Sequence, residues 1–313
     1  LSTIKRPNFH VRLQKTVFSL IKSFVNNWVH YIHNHDLLTK LNITTTYGHV
    51  VEAYRKSVIL IHSDAALDPP VPLMNNLKAI HMRSKNRVES LPFRYLKFLD
   101  ESAPHGTILF GSGTKDTYST QVISIFLHVF PKIKQNVIFK CDRDGYHGSN
   151  ILMTKWLPDQ KLILRHPNLR LFISHTGRNS VLEAIEAGVP ILALPDLADQ
   201  HALAALLMNH TKMAIVLDPM TITEEILFET IEDLLNNRTY RDNARMASRI
   251  YGHEYKTADE TVLYWVQHTV KFGETGINYM LSKPLSSLNL YYYYYSLDVA
   301  SIFLIIIMLI LLF

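Results

Sequence analysis

A single cysteine, Cys141, among 313 residues leaves nothing for an intrachain disulfide. It also supplies too few thiolates for a four-cysteine zinc or iron–sulfur site, so disulfide-stapled secreted scaffolds are excluded. Charge is scarce: 19% of residues are charged against 48% hydrophobic, and mean hydropathy is +0.04. That balance excludes a disordered or fibrous chain. Lys and Arg number 32 against 27 Asp and Glu, but they are scattered. No basic stripe of the nucleic-acid-binding kind forms, and no nucleic-acid partner is expected. No Gly-Lys-Ser/Thr completes a Walker loop. No G-x-G-x-x-G opens a strand–helix unit with an acidic residue about 20 positions on, which disfavours an NAD-type dehydrogenase.

The two ends also lack something. Leu1 to Pro7 offers no initiator Met, no apolar core of a leader and no small-residue cleavage site, so the sequence is expected to begin inside a longer protein. At the other end, Val299 to Phe313 is uncharged and rich in Leu and Ile, and it follows Asp298 and the tyrosines Tyr291 to Tyr295. Fifteen residues reach about 22 Å, short of the roughly 30 Å of a hydrocarbon core. A run with no polar face is expected to be a transmembrane helix cut near its far side, with the tyrosines at the interface; a buried C-terminal helix is the alternative. Asn42, Asn209 and Asn237 open N-x-S/T sequons, compatible with a lumenal or extracellular body.

What is present reads as alternating elements. Arg12 to Thr39 is apolar and aromatic at helical spacing, and its His30, His33 and His35 are expected to be solvated or packed rather than metal ligands. Val58 to His62 reads as a buried strand before the turn Asp68-Pro69-Pro70-Val71-Pro72. Met82 to Pro104 lacks a period and reads as an interdomain connection. Beyond it, strands are expected at Thr107–Phe110, Asn136–Lys140, Leu169–Ser174, Pro190–Leu194 and Ala214–Leu217. Helices are expected at Ser119–Phe130, Asn179–Ala187, Asp199–Met208 and Thr223–Leu235, with Thr221-x-x-Glu224 as a capping box. Continuously apolar strands alternating with helices predict a Rossmann-like, doubly wound parallel sheet from about Pro104 to Ile250. Its ligands would sit beyond the carboxyl ends of the strands.

Three loops at those ends carry chemistry. Gly111-Ser112-Gly113-Thr114 allows a close backbone approach and adds hydroxyls. Strand 169–174 runs into His175-Thr176-Gly177-Arg178-Asn179-Ser180 and then a helix closed by Gly188 and Pro190. The free amides and positive end of that helix, with His175, Asn179 and Ser180, make a seat for phosphate. Glu183 shares the face of Asn179 and suits sugar hydroxyls. Asp199 and Gln200, one strand on, offer an acceptor and an amide. Trp156, before Leu157-Pro158, supplies a flat ring for stacking a base, or alternatively a core indole.

Together these residues resemble the UDP-glycosyltransferases, the membrane-bound UDP-glucuronosyl and UDP-glucosyl transferases of GT-B fold. The family signature, S/T-H-G-G-x-N-S, then E, G-V/I-P, P and D-Q, is matched by Ser174 to Ser180, Glu183, Gly188-Val189-Pro190, Pro195 and Asp199-Gln200. Trp156-Leu157-Pro158 with His166-Pro167, and Leu96 to Asp100, are similar to the family's flanking segments. The resemblance implies an α/β, GT-B architecture. Residues 1–90 would be part of the acceptor-binding domain, 91–104 the linker, 105–250 the donor domain, 251–296 a juxtamembrane segment and 297–313 the membrane helix. Trp156 would stack on uracil with Gln160 nearby, and Glu183 would bind ribose. Thr114, His175, Gly177, Asn179 and Ser180 would hold the diphosphate, and Asp199 and Gln200 the transferred sugar. The resemblance implies no cofactor and no metal, UDP-glucose or UDP-glucuronate as donor, a small lipophilic acceptor, the endoplasmic reticulum membrane with a lumenal body, and a homo- or hetero-oligomer.

This sequence departs from the pattern at four places. Thr176 replaces the first glycine of the pair, placing a β-branched side chain where backbone would approach phosphate. Asp159 is an inserted residue before Gln160, Gly111 stands where serine is usual, and Leu203 stands where asparagine is common. No segment matches the family's acceptor-activating His and its Asp, so the general base is expected upstream of this sequence. A membrane-anchored UDP-sugar binder without catalysis is the alternative to a hexosyltransferase.

Overall fold

The computed structural model describes residues 56–69, 73–81, 90–113, 118–142, 144–197, 199–253 and 258–280, together with residues 14, 18, 21, 25, 28, 29, 40 and 307. The expected membrane helix at 297–313, apart from position 307, the histidines at 30, 33 and 35, and Asn42 lie outside them. So does most of the 12–39 helix, of which the described positions are helical. Among the described residues no helix is long and apolar enough to cross a membrane. The chain forms two compact units, one of residues 1–60, 73–78 and 263–313, the other of 61–72 and 79–262.

The larger unit is built on seven strands. β3 (Thr107–Gly111), β4 (Asn136–Lys140), β5 (Gly145–His147), β6 (Ile151–Thr154), β7 (Leu169–Ser174), β8 (Ile191–Ala193) and β9 (Ala214–Val216) lie in the order β5-β6-β4-β3-β7-β8-β9. All pairs are parallel except β5 with β6. Leaving β5 aside, the first strand of the unit sits at the centre, its second and third to one side and its fourth to sixth to the other. That is the doubly wound order, whose direction of winding reverses between β3 and β7. β5 and β6, three and four residues long, have no counterpart in the sequence expectation. A separate two-stranded sheet pairs β1 (Ile59–His62) with β2 (Leu77–Ile80).

Burial explains the alternation. Every residue of β3 is buried, and successive residues serve opposite faces. Leu109, Ile138, Leu152 and Phe172 pack on one side with α4 (Arg178–Ala187) and α1 (Phe93–Asp100). Ile108, Phe110, Phe139 and Ile173 pack on the other with α2 (Thr120–Val129) and, after α3 (Gln160–Leu164) and α5 (Gln200–Leu206), with α6 (Glu224–Asn236). The 91–104 stretch read as a connection carries α1, whose Tyr95, Phe98 and Leu99 are buried. Two further helices, α7 (Arg238–Gly252) and α8 (Ala258–Met280), follow. The cap of α6 is Thr223, which accepts from the Ile226 amide at 3.2 Å, and not Thr221. Thr223 stands three residues before that amide, the spacing a capping hydroxyl requires.

On the second face Phe126 is fully buried, its ring 4.9 Å from that of Phe110 and 5.3 Å from that of Phe130. Phe126→Ala is expected to lower stability by about 3–5 kcal/mol, measured by urea unfolding.

Candidate functional site

The carboxyl ends of β3 and β7 open the crevice that the winding reversal creates. The imidazole of His175, the first residue after β7, fills it between two glycines from different loops. A β-carbon on Gly113 would come 2.7 Å from the His175 Cε1, and one on Gly177 would come 2.5 Å from its Nε2. Gly113 also has φ +82°, a conformation that L side chains strain to adopt. These two positions therefore hold the ring by backbone alone. The His175 Nδ1 is buried without a hydrogen bond of acceptable geometry. Burial drives the pKa of His175 below the ordinary imidazole value, and the Lys140 charge lowers it further. The Gly111 carbonyl and the charges of Asp199 and Asp196 pull the other way. The ring is neutral at neutral pH.

Thr176 takes φ +62°, which costs a β-branched residue roughly 1–3 kcal/mol. Its hydroxyl donates to the His175 and Gln200 carbonyls at 2.6 and 3.0 Å, and its amide donates to Ser174 Oγ at 3.1 Å. The side chain is fully buried and turns away from the crevice. The backbone at Thr176 thus takes the conformation that favours glycine, and its methyl and hydroxyl are buried in the protein.

α4 starts one residue earlier than the sequence suggested, with Gly177 as N-cap and no side chain on its free amides. It ends on Gly188 at φ +65°, where the Val189 amide reaches the Ala184 carbonyl at 3.0 Å, a Schellman closure. Its open N-terminus faces a cavity of about 490 Å³, in the range of small-ligand sites. Of the expected site residues, Trp156, Gln160, His175, Gly177, Asn179, Ser180 and Glu183 all line it. Trp156 keeps 56% of its surface exposed, so its indole is a wall rather than core. The Gln160 amide nitrogen donates to Ser180 Oγ at 3.1 Å and to Glu183 Oε2 at 2.7 Å, joining α3 to α4.

Asp159, the inserted residue, caps α3 by accepting the Leu162 amide at 3.0 Å. A β-carbon on Gly111 would lie 3.1 Å from Phe172 Cε2 and 3.2 Å from Gln160 Oε1, so the missing side chain at 111 leaves room for both. Leu203 is buried in the core on α5. Asp199 and Gln200 stand on the next loop and are not among the residues that line the cavity. Asp199 acts on His175 and Arg178 through its charge, and Gln200 Oε1 accepts the amides of Asp196 and Leu197 at 2.9 and 3.0 Å. Thr114 lies outside the described residues.

Residues outside the expected set also line it, among them His62, Lys140 and Arg178. Lys140 is buried and ends a strand whose three preceding residues, Val137 to Phe139, are apolar; a cation closing such a run was the visible signal. Arg178 Nη1 donates to Asp68 Oδ1 at 3.1 Å, and Nη2 donates to the other Asp68 oxygen and to the His62 carbonyl. Burial alone would raise the Asp68 pKa. Hydrogen bonds from Arg178 and the Asp64 amide hold it below the usual carboxylate range, while the Asp68 hydrogen bond raises that of Arg178.

Comparison with known proteins follows the same lines. The family described as UDP-glucoronosyl and UDP-glucosyl transferase matches residues 5–313. UDP-glycosyltransferase UGT5 of Dactylopius coccus is 30% identical over 270 residues, covering 84% of this chain and 50% of the relative. UDP-glucuronosyltransferase 3A1 of Homo sapiens is 28% identical over 221 residues, covering 68% and 42%. The chain thus spans about half the length of the curated relatives it matches. Among solved structures, the forosaminyltransferase SpnP aligns with TM-score 0.56 at 21% identity, covering 66% of this chain and 54% of the other. A UDP-glucose: anthocyanidin 3-O-glucosyltransferase in complex with UDP aligns with TM-score 0.53 at 17%, covering 66% and 53%. These likenesses show the GT-B fold.

Two outcomes are expected. Thr176→Val keeps the shape but leaves the Gln200 and His175 carbonyls without their hydroxyl, lowering stability by about 1–3 kcal/mol in chemical denaturation. His175 and His62 both have lowered pKa values, burial being the first cause in each. The unfolded chain therefore takes up their protons first as pH falls. The stability they contribute is complete above about pH 6.5 and drains below it, a slope that His175→Gln reduces in unfolding measured from pH 7.5 to 5.

Proposed function

We propose that this chain, which belongs to the UDP-glucoronosyl and UDP-glucosyl transferase family, holds a UDP-sugar in the β3/β7 crevice. From it the whole protein transfers a hexose, with inversion, to a small lipophilic acceptor. The observation that carries this reading is the convergence of uncapped α4 amides, a neutral imidazole and a half-exposed indole on one cavity. The diphosphate lies on the amides of α4 with His175, Gly177, Asn179, Ser180 and Thr114, and Lys140 supplies countercharge. Uracil stacks on Trp156. Glu183, already joined to Gln160, accepts from the ribose hydroxyls. Asp199 and the amide nitrogen of Gln200 serve the transferred sugar, glucose or glucuronate.

In such an in-line displacement the bond from the anomeric carbon to the β-phosphate oxygen breaks while the acceptor oxygen attacks from the opposite face. Negative charge grows on UDP as it leaves, and the helix N-terminus and the His175 ring are aimed at the place where it develops. The run Val299 to Phe313 supports an anchor in the endoplasmic reticulum membrane with a lumenal body. Thr176, whose side chain turns into the core, does not obstruct the diphosphate seat. The departure that favoured a non-catalytic binder therefore leaves the phosphate position open.

Isothermal titration of UDP into the full chain tests the reading. Binding is expected to weaken about 10- to 100-fold in His175→Ala, the loss of a hydrogen bond to a charged partner. Equal affinity in the two proteins overturns the diphosphate assignment.

A further inference from the structure

His62 ends β1 and belongs to the same compact unit as the crevice. It lines the cavity together with His175 and Asn179, although it lies more than 100 residues before the sequence motif that marks the site. Its Nε2 is buried with no hydrogen-bond partner among the described residues. A buried ring nitrogen without a partner costs roughly 1–3 kcal/mol and is tolerated where something else supplies the bond.

What fixes its place is Arg178. This residue opens α4, and its guanidinium grips Asp68 in a two-pronged pair while donating to the His62 carbonyl at 3.2 Å. His62 is thereby tied to the first residue of the helix, the end where uncapped amides await an anion. In that reading the uridine end is marked by Glu183, more than a turn further along α4, and by Gln160 of α3, which donates to it. Arg178 is the cation closest in sequence to those amides, and it would be the obvious phosphate ligand. Its charge is matched by Asp68, which leaves the His62 imidazole, like that of His175, with a ring nitrogen that has no partner among the described residues.

We propose that His62 is a further donor-binding residue that hydrogen-bonds the diphosphate, and that Asp68 and Arg178 are positioning residues that present it. The proposal rests on the donor-site reading above and adds to it a ligand from outside the family signature. In the neutral state that burial and Arg178 favour, one ring nitrogen carries a proton to donate to a phosphate oxygen.

The test uses the full chain with UDP, by isothermal titration, and with uridine, by ligand-observed NMR. His62→Ala is expected to weaken UDP about tenfold and uridine no more than about twofold. His62→Gln, which keeps an N–H at similar reach, is expected to recover most of the loss, and Asp68→Asn to shift UDP in the same direction by less. Thermal unfolding of each variant identifies any that fails to fold; if His62→Ala does, Asp68→Asn carries the comparison, and unchanged UDP affinity in it overturns the proposal. Equal losses for UDP and uridine overturn the proposal, since they mark a general disturbance. Unchanged UDP affinity in His62→Ala, with His175→Ala weakened, overturns the His62 assignment alone. Unchanged affinity in both overturns the donor-site reading with it.

Discussion

The site depends on one packing constraint. Where β3 and β7 part, the His175 ring occupies the gap between the backbones of Gly113 and Gly177, with no room for a β-carbon on either. A doubly wound sheet always leaves a crevice at that point, but the crevice is empty space until something defines its floor. Here an imidazole defines it, and burial keeps the ring neutral. The free amides of α4 begin two residues later on the same loop. An anion approaching them meets fixed dipoles and a ring that does not add a competing buried charge.

Around that floor the loops are tied to one another in ways that spread the cost of order. Gln160 bridges from α3 to Ser180 and Glu183, Thr176 reaches the Gln200 carbonyl, and Gln200 in turn holds the amides of its own loop. Arg178 brings in a segment from more than 100 residues upstream through Asp68. The links from Gln160, Thr176 and Arg178 each join a different pair of elements, so the cavity walls are held from several sides. Much of the ligand-facing geometry is thus set before a ligand arrives.

Much of this was legible in sequence because it is written in local patterns. The apolar strands, the Gly188 closure and the His-to-Ser loop follow from periodicity and from residues with restricted conformations. What escaped was mostly non-local. β5 and β6, three and four residues long, had no counterpart in the expectation. Asp68 looked like the start of a proline turn, and only the fold shows its carboxylate against Arg178. His62 was an unremarked strand end. The departures at 111 and 159 were visible singly, but only the structure shows that Gly111 faces Phe172 and Gln160, the residue after Asp159. Thr176 was judged from its bulk, whereas its backbone angle decides where that bulk goes.

Thr176 also bears on how such a loop changes over generations. A glycine at a left-handed position is replaceable only by a residue that brings its own compensation, and the threonine hydroxyl does so through two carbonyls. Once it is there, the neighbouring α5 loop comes to rely on that hydroxyl. Removing it would leave the Gln200 carbonyl, at the start of α5, without that bond. A departure from a family signature can therefore record the history of its surroundings rather than decay of the site.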